Sequence, residues 1–386
     1  MAITSIKAPA TLNFAGNPII LEATTDISVS GTDKSFLRIV CEVFVEDETY
    51  RDYKLEMELS QPVSDKGTAV FNLSDAFQTV IKRRQMDIDM NIGGSDVTAS
   101  FDTKVCVRAY VYVYDAYLFD NQEIKSEKVH VMPEQNVQYI YAVPGSLTDY
   151  EMLSFPTILL ETLSNGKAMS RKPDVGIVYK GETIIIPVVT GGGTTTSKME
   201  VYVGKNIVST RSDYISHYSL GYQYLLVDYG SEGELTVSST RGGTKYGYYR
   251  TNTQSVHFLR FINGFGAVEN ISVRAKDKLS YEVSGETHSL VQEASVLPSD
   301  RRYATKSQPV GVYELSSGYV PQRWAEWYVQ ELLTSPRVWI QLGGKWVPAL
   351  IEAEDDCVIY DRAKPEMPHV DFTLRLAIDG VTGVTW

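Results

Sequence analysis

A period-of-two alternation constrains this chain more than any other feature. From Leu37 to Glu46, the residues Leu37, Ile39, Cys41, Val43 and Val45 fall on one face, and Arg38, Glu42 and Glu46 on the other. Successive side chains of an extended strand point to opposite faces, so this spacing predicts a half-buried strand. Residues 104 to 119 alternate as well, with Val105, Val107, Ala109, Val111 and Val113 opposite Cys106, Arg108, Tyr110, Tyr112 and Tyr114. Apolar area on both faces predicts a central strand whose tyrosine face packs on another surface. Between the two, Ser74 stands where it can cap a short helix carrying Phe77, Val80 and Ile81 at helical spacing.

The pattern loosens over residues 131 to 144, then short β-branched runs return at 176–179, 183–189, 199–203 and 234–238. Turn clusters separate them at the spacing of an all-β sandwich. Residues 256–262, Asn263-Gly264 and 265–273 read as a hairpin, because Asn-Gly accepts the positive φ angles of a tight turn. Near the end, Trp324, Trp327, Tyr328 and Leu332 share a helical face within 323–333, and Pro336 stops that helix. Strands follow at 338–342, 346–352 and 370–378, with Gly343-Gly344 as the first turn and Val370, Phe372, Leu374, Leu376 and Ile378 as an inward face.

A chain of 386 residues exceeds what one core usually serves. The expectation is a mainly β protein of several β-sandwich-like domains with short helices and a C-terminal α+β domain. The boundaries drawn from the pattern are an N-terminal β-sandwich domain at 1–133, a middle β domain with Gly/Tyr-rich loops at 134–275, and a C-terminal domain with one helix and a β-meander at 276–386.

Charge excludes some partners. With 36 Lys plus Arg against 48 Asp plus Glu, the net charge of -12 repels phosphate backbones and anionic lipid. Lys82-Arg83-Arg84 reads as a basic helix end that offsets the negative end of the dipole. Cys41, Cys106 and Cys357 lie too far apart to outline a disulfide framework or a zinc site, and read as reduced core residues. The opening residues lack a basic head followed by an apolar run, so no secretion signal is expected, and no apolar stretch approaches the roughly 20 residues a bilayer requires.

Catalytic patterns are not recognisable. His130, His217, His257, His288 and His369 are scattered singly, without the paired spacing a metal needs. The run 191–196 lacks the Gly-Lys-Ser/Thr of a phosphate loop, and Gly264-Phe265-Gly266 is not followed by a helix. No Gly-x-Ser-x-Gly elbow is present, and Glu352, Glu354, Asp355 and Asp356 lack the spacing of a calcium loop. No catalytic residue, cofactor or metal is therefore assigned. Two carboxylates brought together by the fold would suit a glycosidase, which leaves a polysaccharide-degrading role as the lowest-ranked reading. The aromatic residues carry more information: Tyr214, Tyr218, Tyr222, Tyr224, Tyr229, Tyr246, Tyr248 and Tyr249 load one region with amphipathic rings that suit a protein interface or stacking on sugars. Trp386, at the chain end, is a further interface candidate.

Several segments are familiar. Residues 258–269 (FLRFINGFGAVE), 12–19 (LNFAGNPI), 315–319 (LSSGY), 331–339 (ELLTSPRVW) and 346–351 (WVPALI) are similar to segments of tail and baseplate structural proteins of tailed phages and prophages of gut Bacteroides-type bacteria. The chain departs from that pattern at Phe261 and Ile262, where tryptophan and leucine are more usual, and in its glycine- and tyrosine-rich middle. The resemblance implies a non-enzymatic virion protein, made in the host cytoplasm and assembled in several copies into the tail. Its partners would be other copies of itself and neighbouring tail proteins. A carbohydrate-binding adhesin that recognises a host surface glycan is the alternative.

Overall fold

The computed structural model describes residues 3–26, 35–47, 52–85, 96–102, 106–135, 137–154, 168–190, 197–203, 206–213, 221–228, 233–239, 245–254, 257–273, 275–282, 287–289, 302–304, 310–353, 359 and 367–377. The fold is mainly β, and the strands among these residues form six sheets.

The N-terminal lobe is a β-sandwich. One layer holds the strands Ile3–Lys7, Ile20–Thr25 and Thr68–Asn72, and the other runs in the order Leu12–Phe14, Ile140–Val143, Val107–Phe119, Ser35–Glu46, Tyr53–Pro62. Leu21, Ala23 and Phe71 from the first layer meet Ile39, Cys41, Val43, Val107, Val111 and Val113 from the second in one buried cluster. The helix Ser74–Gln85 closes it with Phe77, Val80 and Ile81, as their spacing requires. Cys41 and Cys106 are buried and unbridged, and burial followed by the charge of Glu42 pushes the Cys41 thiol up to about 12. One expectation is corrected here. Of the polar face expected at Arg38, Glu42 and Glu46 in Ser35–Glu46, only Arg38 is open to water: Glu42 and Glu46 are buried, because the strand is central and Lys128 and Arg108 reach over it to pair with them. Lys82, Arg83 and Arg84 stand in the last turn of the helix, as expected, and Arg84 is buried there and donates to the carbonyls of Cys106 and Glu46.

The middle lobe has a five-stranded sheet in the order Val175–Lys180, Lys245–Gln254, Gly233–Ser239, Ser197–Val203, Asn206–Asp213. Beside it, Gly221–Asp228 lies between Ile184–Thr190 and Asp96–Asp102. The last lobe is a seven-stranded sheet in the order Val268–Val273, His257–Ile262, Val338–Leu342, Lys345–Ala353, Asp371–Leu376, Val310–Ser316, Ala275–Glu282. The helix Gln322–Trp327 and a π-helical turn at Tyr328–Leu332 pack Trp327, Tyr328 and Leu332 onto that sheet. Gly343 and Gly344 have φ of 54° and 77°, the paired left-handed conformation that lets a two-residue hairpin turn match strand twist.

Strand pairing does not follow the boundaries at 133 and 275. Ile140–Val143 pairs parallel with Leu12–Phe14 and antiparallel with Val107–Phe119, inside the N-terminal sandwich. The hairpin of His257–Ile262 and Val268–Val273 joins Val338–Leu342, with Leu259 opposite Ile340. Ladder hydrogen bonds form wherever an edge is free in space, and alternation within a strand carries no record of its partner. Among the described residues no helix is long and apolar enough to cross a membrane.

Candidate functional site

Asn263 organises a junction between the three lobes. Its Oδ1 accepts from the N–H groups of Phe265 and Ala267 at 3.0 and 2.9 Å, and its Nδ2 donates to Met169 O and Glu269 Oε1, both at 2.8 Å. The expected hairpin is present, but not the expected turn. The chain reverses over residues 263–267 around this side chain, and the positive φ falls on Gly266 (73°) rather than on Asn263-Gly264. A buried asparagine that mimics backbone in this way sets a five-residue turn, which a two-residue Asn-Gly rule misses.

The outside of that turn is grasped from both sides. Ser146 N–H donates to Gly264 O at 2.9 Å, Gly16 N–H donates to Gly145 O at 2.8 Å, and the Phe14 and Phe265 rings stack with centroids 5.7 Å apart. Asn17 brackets Leu147 by accepting its N–H and donating to its carbonyl. Arg171 then ties all three lobes together. Its Nε and Nη2 donate to Glu151 at 2.7 and 2.6 Å, its Nη1 donates to Glu331 at 2.5 Å, and its guanidinium lies 4.1 Å from the centre of the Phe265 ring. Glu331 is wholly buried and its second oxygen accepts the Gly264 N–H at 2.5 Å. Burial alone would raise the Glu151 carboxyl, but Arg171 and the Thr148 N–H hold it below the usual range. Three of the five familiar segments, 12–19, 258–269 and 331–339, therefore meet at one place in space.

Glu269 is the strained member of this junction. Burial, and next the charge of Glu331, push its carboxyl up to about 7, and its Oε2 has no hydrogen-bond partner. A carboxyl raised in the folded state holds its proton where the unfolded chain, with the ordinary value of 4.5, has lost it. Its contribution to stability is thus complete below about pH 4.5 and is lost as pH rises through about 7, a change of about 3 kcal/mol. Glu269→Gln is expected to flatten that part of the stability profile. Urea midpoints of both proteins across this range measure it, and parallel profiles would contradict it.

A cleft of about 250 Å³ opens beside the junction, lined by residues that include Val175, Gly176, Tyr179, Glu182, Tyr319, Trp324 and Tyr328. Trp324 Nε1 donates to Val175 O at 2.9 Å, which seats the indole against the bare backbone of Gly176. Residues 179–182 form a type II turn, with Gly181 at φ 82° and the Glu182 N–H donating to Tyr179 O at 3.1 Å. That turn places the buried Glu182 carboxylate in the cleft lining.

The tyrosines singled out from sequence do not form one surface. Tyr246 and Tyr248, at 4% and 3% exposure, are core residues stacked 5.7 Å apart, and the Tyr248 hydroxyl donates to Pro173 O. They share the inner face of their strand, so the interface role expected of them is withdrawn. Tyr249 points the other way and is 48% exposed beside Ile177 and Val175 on the edge strand. Tyr222 and Tyr224 lie in the central strand Gly221–Asp228, where Tyr222 is opposite both Asp102 and Val189. Tyr214, Tyr218, Tyr229 and Trp386 lie outside the described residues, as do the run 191–196, Cys357 and Glu354, Asp355 and Asp356.

The sequence reading did not single out a second aromatic surface as a contact. On the outer face of the N-terminal sheet, Tyr110 stacks on Phe44 at 4.9 Å and meets Tyr53 at 4.8 Å and Tyr112 at 5.4 Å, while Tyr53 continues to Tyr139 at 5.7 Å. Arg108, held by Glu46, lies 4.8 Å from the Tyr139 ring centre. All these rings are half-buried. Their signal was the tyrosine face of the 104–119 alternation; the rings pack on one another and keep an open side. Among the described residues no group of three His, Cys, Asp or Glu is gathered as a metal site needs.

No protein-family model matches the sequence, and no curated protein matches it. Among solved structures, dimeric latent PorU from Porphyromonas gingivalis is similar over 90% of this chain, at 11% identity and a TM-score of 0.21. The chain spans about a third (33%) of that PorU chain. Invasin, a bacterial integrin-binding protein, is similar over 82% of this chain and 56% of its own, at 11% identity and a TM-score of 0.25. Fibronectin(III)-like modules of Clostridium thermocellum CbhA are similar over 66% of this chain and 95% of theirs, at 11% identity and a TM-score of 0.14.

Proposed function

We propose that this chain is a non-enzymatic structural subunit of a phage tail or baseplate, whose partners are other copies of itself and neighbouring tail proteins. The observation that carries this reading is the aromatic platform of Phe44, Tyr53, Tyr110, Tyr112 and Tyr139. Half-buried tyrosines offer large apolar area with a polar tip and little entropy left to lose, which is the composition of interface cores. The junction supports the same reading, because a bracing network of this kind fixes the relative orientation of lobes that must present surfaces to several neighbours.

Two measurements test it. Antibody against the purified protein should decorate the tails of intact particles, and Tyr110→Ala with Tyr139→Ala should weaken self-association or incorporation at least about tenfold, equivalent to about 1.4 kcal/mol. Particles that are never labelled, with a protein that stays monomeric at every concentration, would overturn the proposal. The adhesin reading retains Tyr249, with Ile177 and Val175 beside it, as an exposed patch. Saturable binding on a glycan array that Tyr249→Ala abolishes would favour it.

A further inference from the structure

We propose that the cleft beside the junction receives the guanidinium or ammonium group of an arginine or lysine presented by a neighbouring subunit. This deepens the assembly reading, and rests on it only for the source of that side chain. The argument starts from Glu182, which is 3% exposed and lines the cleft. Both of its hydrogen bonds come from neutral donors to one oxygen, the Tyr179 N–H at 3.2 Å and the Ser272 hydroxyl at 2.5 Å. Three other buried glutamates have a cation, Glu42 with Lys128, Glu46 with Arg108 and Glu331 with Arg171, while the buried Glu269 faces the protein interior and does not line the cleft. Among the described residues none pairs with Glu182. A buried carboxylate without a counter-charge is costly, and the cost is recovered when a cation enters.

The walls fit the same occupant. Trp324, Tyr328, Tyr179 and Tyr319 line the cleft together with Glu182, and aromatic rings attract cations, tryptophan most strongly. Lys172 already exploits this chemistry nearby, with its Nζ 5.8 Å from the Trp324 ring centre and 5.6 Å from that of Trp327, but it donates to Asn270 O and not to Glu182. At about 250 Å³ the space lies below the usual size of a small-molecule pocket and suits a single side chain. Tyr319, 69% exposed, stands at the mouth where an incoming chain would pass. A neutral sugar would use the rings but leave the carboxylate unpaired.

The test uses the full chain and small probes, so it does not depend on any particle. Tryptophan fluorescence is followed while N-acetyl-arginine amide, N-acetyl-lysine amide, N-acetyl-glutamine amide, N-acetylglucosamine and spermidine are added. The two basic amides should bind saturably with a Kd on the order of 1 mM, and neither neutral probe should bind. Glu182→Gln should weaken the basic probes about tenfold or more, and Tyr319→Ala several-fold. The exposed Tyr319→Ala variant keeps the test decisive if Glu182→Gln fails to fold. Preference for the sugar would overturn the proposal, as would tighter binding of spermidine, which would assign the cleft to a free polyamine. Basic-probe binding that neither variant changes, or no saturation up to about 100 mM, a hundredfold above the expected Kd, would overturn it too.

Discussion

Gly145→Ala is expected to separate the hairpin at 257–273 from the N-terminal lobe and to destabilise the protein by about 3–5 kcal/mol. Gly145 has φ 90°, which costs an L residue on its own, and an added Cβ would overlap the Phe265 main chain, lying 2.5 Å from its carbonyl oxygen. Both partners in that clash are backbone, so no side chain can rotate away. Relief requires the hairpin to move, which removes the bond from Ser146 N–H to Gly264 O and the Phe14–Phe265 stack. Gly343→Ala is the control: Gly343 also has positive φ, but nothing lies within 4 Å of its added Cβ, so only the conformational cost of about 1 kcal/mol applies. Urea unfolding followed by tryptophan fluorescence measures both, since every tryptophan lies at or beyond residue 324. Equal losses in the two variants would show that the close approach at Gly145 does not hold the junction.

Glu331→Ala should cost about 3–5 kcal/mol, because it breaks a buried ion pair from one side. The variant leaves the Nη1 of Arg171 and the Gly264 N–H without their acceptor in a partly buried site. Arg171 keeps Glu151, so the loss is of one anchor and not of the whole network. A double-mutant cycle with Arg171→Met isolates the pair. Non-additivity of about 1–3 kcal/mol is expected, with the double variant less destabilised than the sum of the singles. Additive losses would mean that Arg171 and Glu331 act independently, and the account of the junction as one network would fail.

Much of the fold was legible without coordinates, and the reason differs element by element. The alternations at 37–46 and 104–119, the inward face at 370–376 and the helix face of Trp324, Trp327, Tyr328 and Leu332 were readable because strand and helix periods are properties of neighbouring residues. The Gly343-Gly344 turn was readable because positive φ is a local demand with a local answer. The candidate site was less legible. Tyr246 and Tyr248 stood out with Tyr249, yet alternation says which residues share a face and not which face is covered. Two of the three were core. Glu182 carried no signal, and Glu331 only its place in a familiar segment, since a glutamate is marked as unusual only by burial.

By itself the sequence determined that the chain builds strands, where several of them run, and that its net charge is acidic, because each follows from adjacent side chains or from summed charge. Only the tertiary structure decided that Ile140–Val143 returns to the first sheet, that the 257–273 hairpin joins the last one, and that segments around 14, 171, 264 and 331 close on one another. Those outcomes depend on which edges and cavities become available when separate strands pack. Distance in space between residues far apart in the chain is set by the whole fold, and no local pattern encodes it.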